Sequence, residues 1–406
     1  MQTAAGRAGG HSGADMLGAA AAGAWVAGSD RPEKEVVRIG FLPLTDCAAL
    51  VVAAALGFDR KYGIKIELSR EASWARVRDK LINGELDAAH ALYGLVYGVQ
   101  LGIGGPKKDM AVLMNLNQNG QSITLSSRLA REGAVDGASL AALMRAAPRA
   151  YTFAQTFPTG THAMWLYYWL AAHGIDPFRD ARAITLPPTQ MVANLGAGNM
   201  DGFCAGEPWG DRAILDEVGV TAATSQQIWP DHPEKVLGAS RDFVARHPHT
   251  CRAMIAALLD ASRWIEASEA NLRQTAELIA GPAYINTAPE AIEPRLAGRY
   301  QDGLGRTWNE PNRVKFYRDG SVNFPYLSDA MWFMTQQRRW GLLREDPDYL
   351  ALAGQVNQIG LYREAAAMTA TPVPAEALRA STLIDGVRWD GTAPTAYAAS
   401  FAIGSN

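Results

Sequence analysis

The run TFPTGTHAMW (156–165) places several hydrogen-bond donors at one turn. A glycine turn feeding a helix leaves backbone N–H groups unpaired and a partial positive charge at the helix start, which makes a ready anion site. Thr161 and His162 stand at that start with a hydroxyl and an imidazole N–H. The plainer alternative is a capping threonine beside a surface histidine. Gln121, in NQNGQSITLS, carries an amide with two N–H donors, although a Gln after Asn-Gly also suits a solvated turn. Lys235, in WPDHPEKVLGAS, can reach a cleft from the start of a short strand, or lie on the surface paired with Glu234 or Asp231. Trp74, in EASWARVRDK, offers one indole N–H and a flat face, or simply fills a core. No catalytic set accompanies them: G-x-S-x-G, H-E-x-x-H and the P-loop pattern are missing. Glu207-Pro-Trp has no His or Cys placed by sequence to act with it.

The elements that must position these residues follow from periodicity. Val36 to Phe41 is a short apolar run ended by Pro43, as a buried strand would be. Thr45 or Asp46 can cap a helix through CAALVVAAALGF, Ile64 to Leu68 alternates as a strand, and Ser73 caps WARVRDKLI, stopped by Asn83-Gly84. Leu86 to Ala91 is a third strand. The same grammar returns from Tyr151: a strand, the helix Thr161 to His173, a strand over Ala183 to Leu186, a helix from Met191 and a strand over Met200 to Ala205. Alternation of this kind predicts parallel sheets covered by helices. NGELDAAH (83–90) and GNMDGFCA (198–205) echo each other, one structural device used once per lobe. Beyond about residue 240 apolar residues recur at helical spacing, and the Pro/Ala/Thr-rich tail from Thr371 is expected to wrap the surface. Ligands of such α/β lobes sit at the carboxyl ends of strands.

Composition narrows the function classes. With 48% hydrophobic residues the chain can build large cores, and 38 basic against 41 acidic residues without like-charge blocks speak against a nucleic-acid partner. Cys47, Cys204 and Cys251 are too scattered for a disulfide framework, and no CxxC pair is present to hold zinc. Residues 1–35 differ from the rest: an Ala/Gly-rich start, then the apolar stretch Met16 to Ala27. It is too short to span a bilayer, which needs ~20 residues, but fits the apolar region of an export signal. Its charged region is poor, with Arg7 opposed by Asp15 and no twin-Arg pair, so the signal is atypical or its start is shifted. A floppy Ala/Gly leader is the alternative.

Long segments of the chain resemble one family. RIGFLPLTDCAALVVA, GFDRKYGIKIELSREASWARVRDKLINGELDAAH, NGQSITLS, TFPTGTHAMWLYYWLAAHGIDP, GNMDGFCAGEPWGDRA, DHPEKVLG and VNFPYLSDAMWFMTQQRRWGLL look like the nitrate- and bicarbonate-binding proteins of ABC importers, over roughly residues 36 to 400. The resemblance implies an α/β type II periplasmic binding protein: two α/β lobes, a ligand cleft between them and a helical C-terminal portion. It divides the chain into a leader (1–35), the first part of lobe 1 (36–120), lobe 2 with crossovers at both ends (121–239) and the second part of lobe 1 (240–406). It implies that a Trp, a Gln, a His and a Lys hold nitrate, at positions matching Trp74, Gln121, His162 and Lys235, with Thr161 beside them. Bicarbonate-binding members carry an acidic residue where this chain has Lys235, and bind with calcium, so the lysine favours nitrate or nitrite without metal or cofactor. Nitrate spreads one charge over three coplanar oxygens; the expected site gives it several N–H donors and one countercharge, with no carboxylate nearby. His162 is expected to strengthen binding as pH falls from about 8 to 6, around the ordinary histidine pKa of ~6.5. A hinge is expected near Gln121 to Leu125 and Val236 to Ala239.

The implied role is delivery to an ABC permease and its ATPase subunit, from the periplasm. A cytoplasmic nitrate sensor with the same lobes is the nearest alternative, and a bicarbonate-binding protein the next. An enzyme like the thiamin pyrimidine synthase of the same superfamily would need a Cys-rich motif that this chain lacks.

Overall fold

The computed structural model describes residues 30–404, so the expected export segment, Met16 to Ala27, lies outside the described residues. Ten strands form two five-stranded sheets. In the first lobe β1 (Val36–Phe41), β2 (Lys65–Arg70), β3 (Ala88–Leu92) and β4 (Met110–Asn115) follow in sequence. The chain then crosses to the second lobe for β5 (Gln121–Ser126), β6 (Thr152–Gln155), β7 (Arg182–Thr185), β8 (Gly202–Gly206) and β9 (Gly219–Thr224). It returns to the first lobe as β10 (Lys235–Ser240). The orders are β2-β1-β3-β10-β4 and β7-β6-β8-β5-β9.

Both sheets are mixed rather than parallel. β1, β2 and β3 run parallel, but β10 is antiparallel to both its neighbours, β3 and β4. Likewise β6 is parallel to β7 and β8, while β5 is antiparallel to β8 and β9. Local periodicity carries no information on strand direction. The reversed strand of each sheet is the one that has just arrived from the other lobe. The chain thus crosses just ahead of these strands, and Gln121 to Leu125 and Val236 to Ala239 are sheet interior, not hinge.

The echoed motifs do the same work in each lobe. Asp87 precedes β3; its N–H donates to the Arg38 carbonyl (2.9 Å) and its carboxylate accepts the Arg38 N–H (2.8 Å). Asp201 precedes β8 and makes the same two bonds with Thr152, at 2.7 and 2.8 Å. Each aspartate closes off the end of the neighbouring strand, whose backbone would otherwise be left partly unpaired.

Six helices matter for the site: α1 (Ala48–Ala55), α2 (Trp74–Asn83), α3 (Tyr93–Leu101), α4 (Thr161–Ala172), α5 (Pro248–Glu266) and α6 (Leu327–Arg339). α2 begins where Ser73 accepts the Arg76 N–H (3.2 Å) and ends at Gly84 with φ +75°. α1 and α4 are apolar around most of their circumference, as helices covered on every side must be. α1 packs on α5. α4 packs on α6, where Trp165 and Trp332 stack at 5.0 Å. α6 also touches α3 and so straddles the lobes. Past residue 371 the chain runs back over α6 and the second lobe, with the Ile384 N–H on the Ile228 carbonyl (2.8 Å).

Candidate functional site

Each strand that enters a lobe after a crossing begins with a candidate residue: Gln121 opens β5 and Lys235 opens β10. Trp74 opens α2 at the carboxyl end of β2, and Thr161 and His162 open α4 beyond β6. All five are at most 1% exposed. The fold therefore brings the sequence-derived residues to one buried place between the lobes.

Their partners differ from expectation. The Lys235 ammonium lies 2.7 Å from Asp46 Oδ2 and 2.9 Å from Glu234 Oε1. Neither a surface lysine nor a carboxylate-free site describes it. A fully buried ammonium must be paired, and two carboxylates do so. Asp46 is held further by His90 Nε2–H on Oδ1 (2.7 Å) and by Gln121 Nε2–H on Oδ2 (3.2 Å). The first turn of α4 meets an anion of the chain's own: the Thr161 hydroxyl donates to Glu234 Oε1, and Trp165 Nε1–H to Oε2 (2.7 Å). His162 donates from Nε2 to Gln121 Oε1 (2.7 Å) and accepts the Thr156 hydroxyl at Nδ1 (2.5 Å). Trp74 Nε1 is buried with no acceptor among the described residues, and its ring centre lies 5.7 Å from Lys235 Nζ.

Burial pushes the Asp46 carboxyl up, but Lys235 and His90 outweigh it and hold it well below the carboxylate range. Burial pushes the Lys235 ammonium down; Asp46 and Glu234 reverse that, so it stays charged. Burial raises Glu234 against the pull of Lys235, Thr161 and Trp165. Burial, then Lys235, drive His162 well below its ordinary value, so its charge does not change between pH 8 and 6 as the sequence suggested. His90 is lowered by burial against Asp46, and His232 to about 3 by burial.

Asp46, Glu234 and His90 are not among the residues expected to hold the anion. A signal for them existed: a lysine in a strand destined for the interior demands a countercharge, and Glu234 is its neighbour. Nothing local shows that Asp46, 189 positions away, supplies the second.

A family model described as the NMT1-like family matches residues 30–280. The chain belongs to the NMT1-like family. The nitrate/nitrite binding protein NrtA of Synechococcus elongatus is 38% identical to it over 386 residues, 91% of this chain and 87% of that one. The bicarbonate-binding protein CmpA of a Synechococcus strain is 31% identical, over 93% of this chain and 89% of that one. The crystal structure of the periplasmic nitrate-binding protein NrtA from Synechocystis PCC 6803 superposes with a TM-score of 0.88 at 34% identity, covering 92% of this chain and all of that one. The fold is that of a type II periplasmic binding protein. No helix among the described residues is long and apolar enough to cross a membrane.

Proposed function

We propose that the chain is a binding protein that captures nitrate, and with it nitrite, between its lobes and delivers it to an ABC permease driven by an ATPase subunit. One observation carries this reading: the buried indole N–H of Trp74 has no acceptor among the described residues, and the Lys235 ammonium stands 5.7 Å from the centre of the same ring. An unpaired buried donor costs about 1–3 kcal/mol, and an oxyanion beside Lys235 would remove that penalty. Lys235 has three N–H groups, two of them on Asp46 and Glu234, which leaves one for the ligand. Gln121 and His162, bonded to each other, bring second-lobe donors to the same place, where Gln121 also reaches Asp46. The likeness to nitrate/nitrite binding proteins supports the same choice. Calcium, which a bicarbonate site would use, needs several oxygen ligands, and the carboxylates here are engaged by an ammonium instead. In this reading the protein is a periplasmic carrier and performs no catalysis; a cytoplasmic sensor with the same pocket is separated from it by cell fractionation. Titration calorimetry with nitrate, nitrite and bicarbonate, the last with and without calcium, is the test. Nitrate or nitrite should bind without metal; binding confined to bicarbonate with calcium would overturn the assignment.

A further inference from the structure

We infer that Glu234 takes up a proton when the anion binds, so that the site captures a monovalent anion and a proton together. The inference rests on the anion reading above and concerns the charge state of the same site. Three charged groups meet at the site: the Lys235 ammonium, Asp46 at 2.7 Å and Glu234 at 2.9 Å. Three imidazoles surround them, each neutral; His162 and His232 use both ring nitrogens, while His90 Nδ1 has no partner among the described residues. His90 donates to Asp46, His162 donates to Gln121 and accepts from Thr156, and His232 donates to the Pro233 carbonyl (3.0 Å) and accepts from Ser225 (2.7 Å). With both carboxylates ionised the buried group already sums to one negative charge. A nitrate would add a second where no solvent reaches, and buried charges without partners are strongly disfavoured.

The geometry selects the group that changes. Asp46 accepts from His90, Lys235 and Gln121; protonating it would break one of those bonds or force His90 into the other tautomer, which leaves a buried N–H at Nδ1 with no acceptor. Glu234 is different. The Thr161 hydroxyl now donates to it and can turn to accept instead. Trp165 can keep donating to the other oxygen. The remaining neighbours do not compete. His162 Nε2 and His232 Nδ1 stand 3.6 and 3.7 Å from the carboxylate but spend their protons elsewhere. From β8, Cys204 is a buried thiol that burial keeps neutral. From α6, Asp329 is cancelled by Arg379 at 2.7 Å, behind the tryptophan stack. Burial already pushes the Glu234 carboxyl up, and an anion beside it pushes further in the same direction.

The sign of the linkage is fixed. Binding favours the protonated carboxyl, so affinity falls as pH rises between the free and the bound pKa, by up to about tenfold per unit, and is flat outside that window. The test is calorimetry of the full chain with nitrate, and separately nitrite, in buffers of different ionisation heat from pH 6 to 9. The expected result is a window in which the parent takes up close to one proton per anion, while Glu234→Gln shows no buffer dependence at any pH. Heats independent of buffer throughout, or equal proton uptake in Glu234→Gln, would overturn the inference. Should the variant fail to fold, the parent's buffer dependence alone decides. If neither anion gives heat, the anion reading falls and this inference with it; binding without proton uptake overturns this inference only.

Discussion

Lys235 can be a cation at the centre of the molecule because Asp46 and Glu234 both reach it. The same pairing gives the lysine a structural role beside the ligand-binding one proposed for it. Replacing it with Met would leave two buried carboxylates without their partner. Breaking a buried pair in this way costs about 3–5 kcal/mol, so Lys235→Met should lose anion binding and also unfold at clearly lower urea concentration. Adding Asp46→Asn and Glu234→Gln to it should restore most of the stability and none of the binding. Urea titrations of the parent, the single and the triple variant check this. A single variant as stable as the parent would mean that the carboxylates do not depend on Lys235. The Trp74 N–H makes no bond among the described residues, so holding another side chain does not explain it.

At the level of elements, the two crossing segments run side by side ahead of β5 and β10. The Asn119 N–H donates to the His232 carbonyl (3.2 Å), and Gln118 pairs through its backbone with Lys315 (2.9 and 3.0 Å). Asn119 and Asp231 both take left-handed backbone, with φ +62° and +59°, which short polar residues tolerate. Asp231 ties this place together: its carboxylate accepts from Lys315 Nζ (2.6 Å) and pairs with Arg318. Burial raises the Asp231 carboxyl, but Lys315 and Arg318 outweigh it and hold it at about 2. In the unfolded chain its value is ~3.9. A depressed carboxyl contributes stability that is complete above the unfolded value and lost as pH falls toward the folded one. Asp231→Asn should therefore be less stable than the parent at pH 7, and the gap should shrink as pH falls from ~4 to about 2. Urea melts at several pH values measure the gap; one that stays constant would show that the charge is not what stabilises the crossing.

For the whole molecule, the lobes meet through bonds and through close approach. The Thr45 N–H in the first lobe donates to the Glu207 carbonyl in the second (2.6 Å), and Trp209 Nε1–H to the Pro43 carbonyl (3.1 Å). This explains the Glu207-Pro-Trp run without catalysis: it latches the turn that carries Asp46. On the other side α3 meets the turn before α4 so closely that a Cβ at Gly94 would stand 2.1 Å from the Thr159 carbonyl oxygen. Gly94→Ala should leave folding intact, since alanine favours a helix over glycine by roughly 0.5–1 kcal/mol. The closed arrangement, however, cannot form around that contact. The parent should compact in small-angle scattering on saturation with nitrate and rise in melting temperature by mass action. Gly94→Ala should stay extended and bind more weakly. Compaction equal to the parent's would show that the lobes close without this contact.

By itself the sequence determined five of the residues that meet at the site, Trp74, Gln121, Thr161, His162 and Lys235, but not the carboxylates and His90 beside them. β1 and the helix that starts at Thr161 are where the apolar periods place them, because periodicity and capping act over a few residues. The long motifs shared with relatives named the family for the same reason: Trp74, Gln121, His162 and Lys235 each sit in a local context. What only the tertiary structure decided is direction and charge. Strand polarity depends on which lobe a strand comes from, and that is settled by sheet pairing across more than a hundred residues of chain, as when Lys235 of β10 lies opposite Leu92 of β3. Whether Lys235 faces water or two carboxylates, and whether His162 can hold a proton, depends on what burial removes and what distant groups return. Solvation and Coulomb energies follow distance in space, and the chain's own order does not contain that distance until it has folded.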